Sequence, residues 1–218
     1  MCIRDSTRTI KKESLFIAIK GDKFDGNNFV EEAFARGASI AVVDNKKFLK
    51  TRKKNIIYVK NTINALKKIS ENIIKKYEGN VIAITGSNGK TTTTNIIANS
   101  LNNTSKTLGN YNNEIGMPLS IINASPNSKN IVMEIGASKI GDINYLSKIL
   151  KPFVGVITNI GNSHLETLKN INGVLNVKSE IVSNIKKNGY LIVPNENKKH
   201  LSYWKLIRSC LLYTSPSP

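Results

Sequence analysis

Thr85-Gly86-Ser87-Asn88-Gly89-Lys90-Thr91-Thr92 follows the apolar run Val81-Ile82-Ala83-Ile84 and opens a helix-like segment rich in Asn, Ile and Ala. A strand, a glycine-rich turn and a helix in that order can cradle phosphate. Glycines let successive backbone N–H groups turn toward one anion, and the positive end of the new helix faces it. Lys90 can then reach the β- and γ-phosphates, and the Thr91 hydroxyl can hold Mg²⁺. Gly86, Ser87, Asn88, Gly89, Lys90, Thr91 and Thr92 form the candidate nucleotide-binding set. The strict P-loop pattern asks for glycine at position 84, where Ile84 stands, so a tight structural turn with a chance Gly-Lys-Thr is the alternative.

Around this loop the chain alternates strand and helix. Strands at 81–85, 130–135, 153–158 and 190–193 are continuously apolar; helices at 90–102, 142–150 and 170–187 separate them, and a last helical segment follows. Such strands predict a parallel sheet with helices on both faces, with ligands at the carboxyl ends of its strands. Upstream, strands at 15–19, 40–43 and 56–59, a helix near 28–36 and a longer one at 62–77 predict a small N-terminal α/β domain ending at Gly79. The fold class is therefore α/β: a small domain over 7–79, then a partial P-loop-type parallel sheet over 80–207. Residues 1–6 and 208–218 depart from the Lys/Asn/Ile style of the interior and resemble translated adapter read-through, so they are set aside from the fold.

The chain has 218 residues, enough for one or two cores at roughly 100 to 200 residues per domain. No apolar run approaches the ~20 residues of a membrane span and no leader-like segment opens the chain, so a cytoplasmic protein is expected. Cys2 and Cys210 lie near the ends, leaving no disulfide or thiolate framework between them. An excess of 32 Lys+Arg over 15 Asp+Glu gives a net charge of +17, which raises a P-loop NTPase module acting on nucleic acid as an alternative. The lysines are scattered in pairs, such as Lys46-Lys47 and Lys186-Lys187, without an aromatic and basic platform. No specific nucleic-acid partner is expected.

Four further positions could carry chemistry. Glu134 closes the strand 130–135 beside the loop and could hold Mg²⁺ with Thr91, or be a solvated strand end. His164 follows the strand end Thr158-Asn159 on the same sheet edge; it is either an ordinary polar residue or part of the site. Lys178 falls in the apolar stripe of Ile171, Val174, Leu175, Ile181, Val182 and Ile185. An ammonium there loses hydration unless it is paired, chemically altered or able to snorkel to the surface. Asn112 and Asn113 offer amides either to a polar substrate or to caps and turns.

Taken together, these segments resemble the Mur ligases of peptidoglycan synthesis. The resemblance rests on the phosphate loop 85–92, on Gly109 to Pro118, on Glu134-Ile135-Gly136-Ala137-Ser138 with Gly141-Asp142-Ile143, on Thr158-Asn159-Ile160-Gly161 with His164-Leu165-Glu166, and on Lys178-Ser179-Glu180-Ile181. Gly136-Ala137 stand where the diaminopimelate- or lysine-adding relative carries Ser-Ser, which turns the match away from that member; another Mur-type amino acid ligase is the alternative. The resemblance covers about residues 7 to 206 and implies a longer parent, a monomeric ATP-dependent ligase of which this stretch alone would be inactive. It implies ATP and Mg²⁺ as cofactors and UDP-N-acetylmuramoyl-tripeptide (UDP-MurNAc-tripeptide) and D-Ala-D-Ala as small-molecule substrates. By the same resemblance Lys90, Lys178 and His164 are catalytic and Asn159 joins the nucleotide set. Thr91 and Glu134 would hold one Mg²⁺, His164 and a carbamylated Lys178 a second. Asn112 and Asn113 would face substrate and Arg8 the UDP diphosphate.

Overall fold

Short runs of Ile, Val and Ala become parallel strands wherever helices cover both of their faces. The computed structural model describes residues 3–4, 6–7, 10–21, 24–50, 55–163, 165–207 and 211–214. Arg8 and His164 lie outside the described residues. The chain divides into two units, 1–72 and 73–218.

In the first unit, β1 (Ile3–Arg4), β2 (Ser14–Ile17), β3 (Ala38–Val43) and β4 (Ile56–Tyr58) form a parallel sheet in that order. Phe16, Ala18, Val30, Ala33, Ala41 and Val43 fill its core. The helix expected near 28–36 is a 3-10 turn over Gly26–Phe29 followed by α1 (Val30–Ala35). Asp25 makes that difference, since its side chain accepts from the Asn27 N–H at 2.9 Å and starts the tighter turn. The long helix is α2 (Thr62–Lys76). The division between the two units falls inside it, where Ile73, Ile74 and Tyr77 pack into the second core.

The second unit contains β5 (Asn80–Thr85), α3 (Lys90–Ser100), β6 (Thr104–Lys106), α4 (Gly116–Ile122), β7 (Asn130–Glu134), α5 (Asp142–Leu150), β8 (Val154–Ile157), α6 (Leu165–Leu168), α7 (Ile171–Ser179), β9 (Tyr190–Val193), α8 (Lys198–Ile207) and β10 (Leu211–Thr214). Its six strands run parallel in the order β10-β9-β8-β5-β7-β6. The central strand β5 carries the glycine-rich loop at its carboxyl end, flanked by the ends of β7 and β8. α5 buries Ile143, Leu146, Ile149 and Leu150 on one face, and it stops at Lys151, whose left-handed φ of 44° precedes Pro152.

Two expectations change here. The helix expected over 170–187 ends at Ser179 and tightens into a 3-10 segment over Glu180–Asn184, where the Glu180 side chain turns away to cap α5. The polar stretch 112–118 passes into α4 at Gly116, with Pro118 in the first turn, where its missing N–H would have no intrahelical partner. Both terminal stretches set aside from the fold supply edge strands, β1 and β10. Leu211 and Tyr213 of β10 remain 58% and 65% exposed, so that strand joins through its backbone, which satisfies the open N–H and C=O groups of β9.

Candidate active site

The loop between β5 and α3 is built on two glycines. Gly86 has φ +148°, and a Cβ there would collide with the Thr158 hydroxyl; Gly89 has φ +76° and caps α3. The loop is bolted to the end of β8. Thr158 Oγ1 donates to the Asn88 carbonyl at 2.6 Å, the Asn88 N–H donates to Asn159 Oδ1 at 2.9 Å, and the Ser87 N–H donates to the Asn159 carbonyl at 3.2 Å. The Ser87 hydroxyl donates to the Gly161 carbonyl at 3.0 Å and accepts from the Gly161 N–H at 2.9 Å. Lys90 folds back over the loop, its Nζ donating to the carbonyls of Gly86 and Ser87 at 2.9 and 3.0 Å. An ammonium so placed sits where phosphate oxygens would offer it stronger, charged acceptors. Thr92 is exposed on the first turn of α3.

At the end of β7, Glu134 is 4% exposed and both carboxylate oxygens are engaged. Thr91 Oγ1 donates to Oε2 at 2.7 Å and Asn112 Nδ2 donates to Oε1 at 2.8 Å. The Glu134 N–H donates to Thr107 Oγ1 at 2.7 Å, which pins the strand end. Hydroxyl and carboxylate are hard oxygen donors suited to Mg²⁺. Among the described residues no group of three or more His, Cys, Asp or Glu gathers into an all-protein cage. Mg²⁺ held by one or two protein oxygens completes its shell with waters and nucleotide phosphates.

A cleft of about 730 Å³ opens beside these groups, and Lys90, Asn112, Asn113, Glu114, Asp142 and Lys178 are among its lining residues. Lys178 is 1% exposed, so its ammonium does not snorkel to the outer surface. Burial pushes its pKa down to about 8, Lys90 adds to the shift, and Asp142 and Glu180 oppose it. The two acids are already committed: Asp142 Oδ2 accepts from the N–H groups of Ser138 and Lys139 at 2.9 and 3.0 Å, and Glu180 accepts from those of Gly141 and Asn144 at 2.7 and 3.0 Å. Ser179, next to Lys178, accepts a bond of 2.8 Å from the indole N–H of the buried Trp204.

Asn113 serves the turn, its Oδ1 accepting from the N–H groups of Ile115 and Gly116 at 3.2 and 2.8 Å. In the first unit a separate cleft of about 400 Å³ is lined by Ser6, Thr7, Phe16, Ile19, Phe24, Gly26 and Phe29. The structure thus brings Lys90, Asn112, Asn113 and Lys178 to one cleft, with Thr91 and Glu134 joined beside it. Sequence reasoning gave no role to Thr158, Ser163 or Thr107, although Ser163 Oγ donates to Ser87 Oγ at 2.9 Å. Polar residues clustered just beyond strand ends were the available signal.

Comparison with known proteins places the chain in a family. The chain is 37% identical over 193 residues to the UDP-N-acetylmuramoyl-tripeptide--D-alanyl-D-alanine ligase of Bacillus subtilis, covering 87% of this chain and 42% of that protein. With the enzyme of the same name from Buchnera aphidicola subsp. Baizongia pistaciae it is 40% identical over 206 residues, covering 93% of this chain and 44% of that one. A solved structure of MurF ligase from Thermotoga maritima in complex with ADP superposes with a TM-score of 0.87 at 30% identity, over 99% of this chain and 51% of that one. MurF from Acinetobacter baumannii gives 0.86 at 32% identity, over 97% and 47%. The chain spans under half the length of the two curated relatives. Residues 3–77 match the family model described as Mur ligase family, catalytic domain, and residues 84–212 match that of the Mur ligase middle domain; the chain belongs to the Mur ligase family.

Proposed function

We propose that this chain is the UDP-sugar-binding and nucleotide-binding part of a cytoplasmic, monomeric ligase that joins D-Ala-D-Ala to UDP-MurNAc-tripeptide at the expense of ATP. The observation that carries the reading is the bond from Thr91, in the phosphate loop, to Glu134, beside a cleft that also holds Lys90 and the buried Lys178. A carboxylate is a poor electrophile until one oxygen becomes a good leaving group. The γ-phosphoryl of ATP passes to the tripeptide's terminal carboxylate, releasing ADP. The amine of D-Ala-D-Ala then forms the C–N bond, the C–O bond breaks, phosphate leaves with the electron pair, and the amine gives up a proton.

Gly86 to Lys90 and Thr92 would cradle the phosphates, with Lys90 turning from its carbonyl partners to the β- and γ-oxygens. Thr91 and Glu134 would hold Mg²⁺, which supplies charge neutralisation to the transferring phosphoryl. Asn159 orients the loop through Asn88. His164 and Lys178 are assigned to a second Mg²⁺. Burial favours the neutral Lys178 amine, which can add to CO₂ and lose a proton, giving an anionic carbamate. Asn113 faces the cleft, and Arg8 is assigned to the UDP diphosphate. By itself this chain would bind nucleotide without ligating.

The test uses a protein extended to the full length of the relatives. ADP and phosphate release should require both UDP-MurNAc-tripeptide and D-Ala-D-Ala, and hydroxylamine should trap the acyl phosphate when D-Ala-D-Ala is omitted. ATP turnover indifferent to the tripeptide would overturn the reading.

A further inference from the structure

The two donors that hold Glu134 differ in what they can do next. The Thr91 hydroxyl has lone pairs and can rotate to offer them to a cation, releasing Oε2. The Asn112 NH₂ group can only donate, so it has no lone pair to offer a cation and no reason to leave Oε1, which it reaches at 2.8 Å. Asn112 is itself fixed from two directions. Its backbone carbonyl accepts from the Gly136 N–H at 2.9 Å, and Gly136 lies so close that a Cβ there would sit 2.9 Å from Asn112 Oδ1 and 3.1 Å from Cγ. The carboxamide is thus fixed between the end of β7 and its own loop.

We propose that Asn112 is a positioning residue for Glu134: it anchors Oε1 so that Oε2 stays directed at the phosphate loop while a divalent cation is taken up. In this role it acts through Glu134. The proposal rests on reading Thr91 and Glu134 as a Mg-nucleotide site. It also ties the loop carrying Asn113 and Glu114, on the wall of the cleft, to the cation affinity of the neighbouring carboxylate.

The test is calorimetric ADP binding to the whole chain, with Mg²⁺ and separately with EDTA. Asn112→Ala should weaken the Mg-dependent binding by about tenfold, the lower end for supporting residues of metal sites, and leave ADP binding in EDTA unchanged. Glu134→Gln should remove the same Mg-dependent gain, and the double variant should be no weaker than Glu134→Gln alone. Gly136→Ala, which pushes the carboxamide aside without deleting it, should reproduce the loss and decides the matter if Asn112→Ala fails to fold. Additive losses in the double variant, or an unchanged Mg²⁺ dependence in Asn112→Ala and Gly136→Ala, would overturn the proposal alone. A wild-type chain that binds ADP equally with and without Mg²⁺ would overturn the reading of the site and this proposal with it.

Discussion

The carboxylate of Glu180 accepts the Gly141 N–H at 2.7 Å from 39 residues away, and with its second oxygen it accepts the Asn144 N–H at 3.0 Å. Two otherwise unpaired donors at the start of α5 are satisfied by one distant acid. Its negative charge also suits the positive end of the helix. Glu180→Ala should lower unfolding free energy by about 1 to 2 kcal/mol, with Glu180→Gln intermediate because an amide can accept on only one of its two atoms. Urea denaturation checks both; equal stability of all three proteins would refute the cap.

Asn27 is a second buried tie, only 2% exposed. Its NH₂ group donates to Asp25 and Asp44 at 2.8 and 2.9 Å, and its Oδ1 accepts from the N–H groups of Asp44 and Asn45, each at 3.2 Å. Asp44 in turn receives the hydroxyl and N–H of Thr62, where α2 begins. Asn27→Ala should cost about 2 to 3 kcal/mol, since it orphans several groups at once. Asn27→Asp, isosteric but facing two carboxylates, should be at least as damaging at pH 7 and recover as the pH falls. Thermal melts across pH provide the comparison.

For Lys178 the sign of the pH dependence follows from its lowered pKa. Between about pH 8 and its ordinary value of 10.5, the unfolded chain holds a proton that the native chain has released, so stability rises with pH across that window. Lys178→Met, similar in volume but uncharged, should be more stable than wild type at pH 7, by at most about 3 kcal/mol, and the gap should close by pH 10.5. A gap constant from pH 7 to 11 would show that the ammonium carries no burial penalty.

The phosphate loop gives a paired prediction. Lys90→Ala should weaken Mg-ADP binding at least ~10-fold, about 1.4 kcal/mol, while leaving the melting temperature nearly unchanged. Gly86→Ala should lower both, because its φ of +148° and the nearby Thr158 hydroxyl exclude a side chain. Thr158→Ala in that background should restore little, since removing the collision leaves the backbone strain.

The charge of +17 yields a test of its own. With lysines spread singly and in pairs, filter binding to a random oligonucleotide should be weak and should vary little between sequences. Tight, sequence-selective binding that survives physiological salt would point to a nucleic-acid surface.

The glycine-rich turn between β5 and α3 was legible because such a turn after an apolar run is a local pattern, and Glu134 was legible as an acid closing an apolar strand. The bond from Asn112 to Glu134 was not, because periodicity carries no record of which loop returns to which strand. β6 escaped notice since Thr104-Ser105-Lys106 alternates nothing apolar, its strand character coming from pairing with β7. The helix expected to continue to 187 obeyed its apolar stripe, yet residues 180 to 184 wound more tightly once Glu180 was drawn to α5.

Trp204 is the only tryptophan in the chain, fully buried, and its indole N–H is bonded to Ser179, the residue after Lys178. The protein therefore carries an intrinsic fluorophore hydrogen-bonded to the residue that follows its buried lysine. The emission maximum and quenching of a single native chromophore, with no label attached, should register any rearrangement of that lysine's helix as ligands enter the cleft.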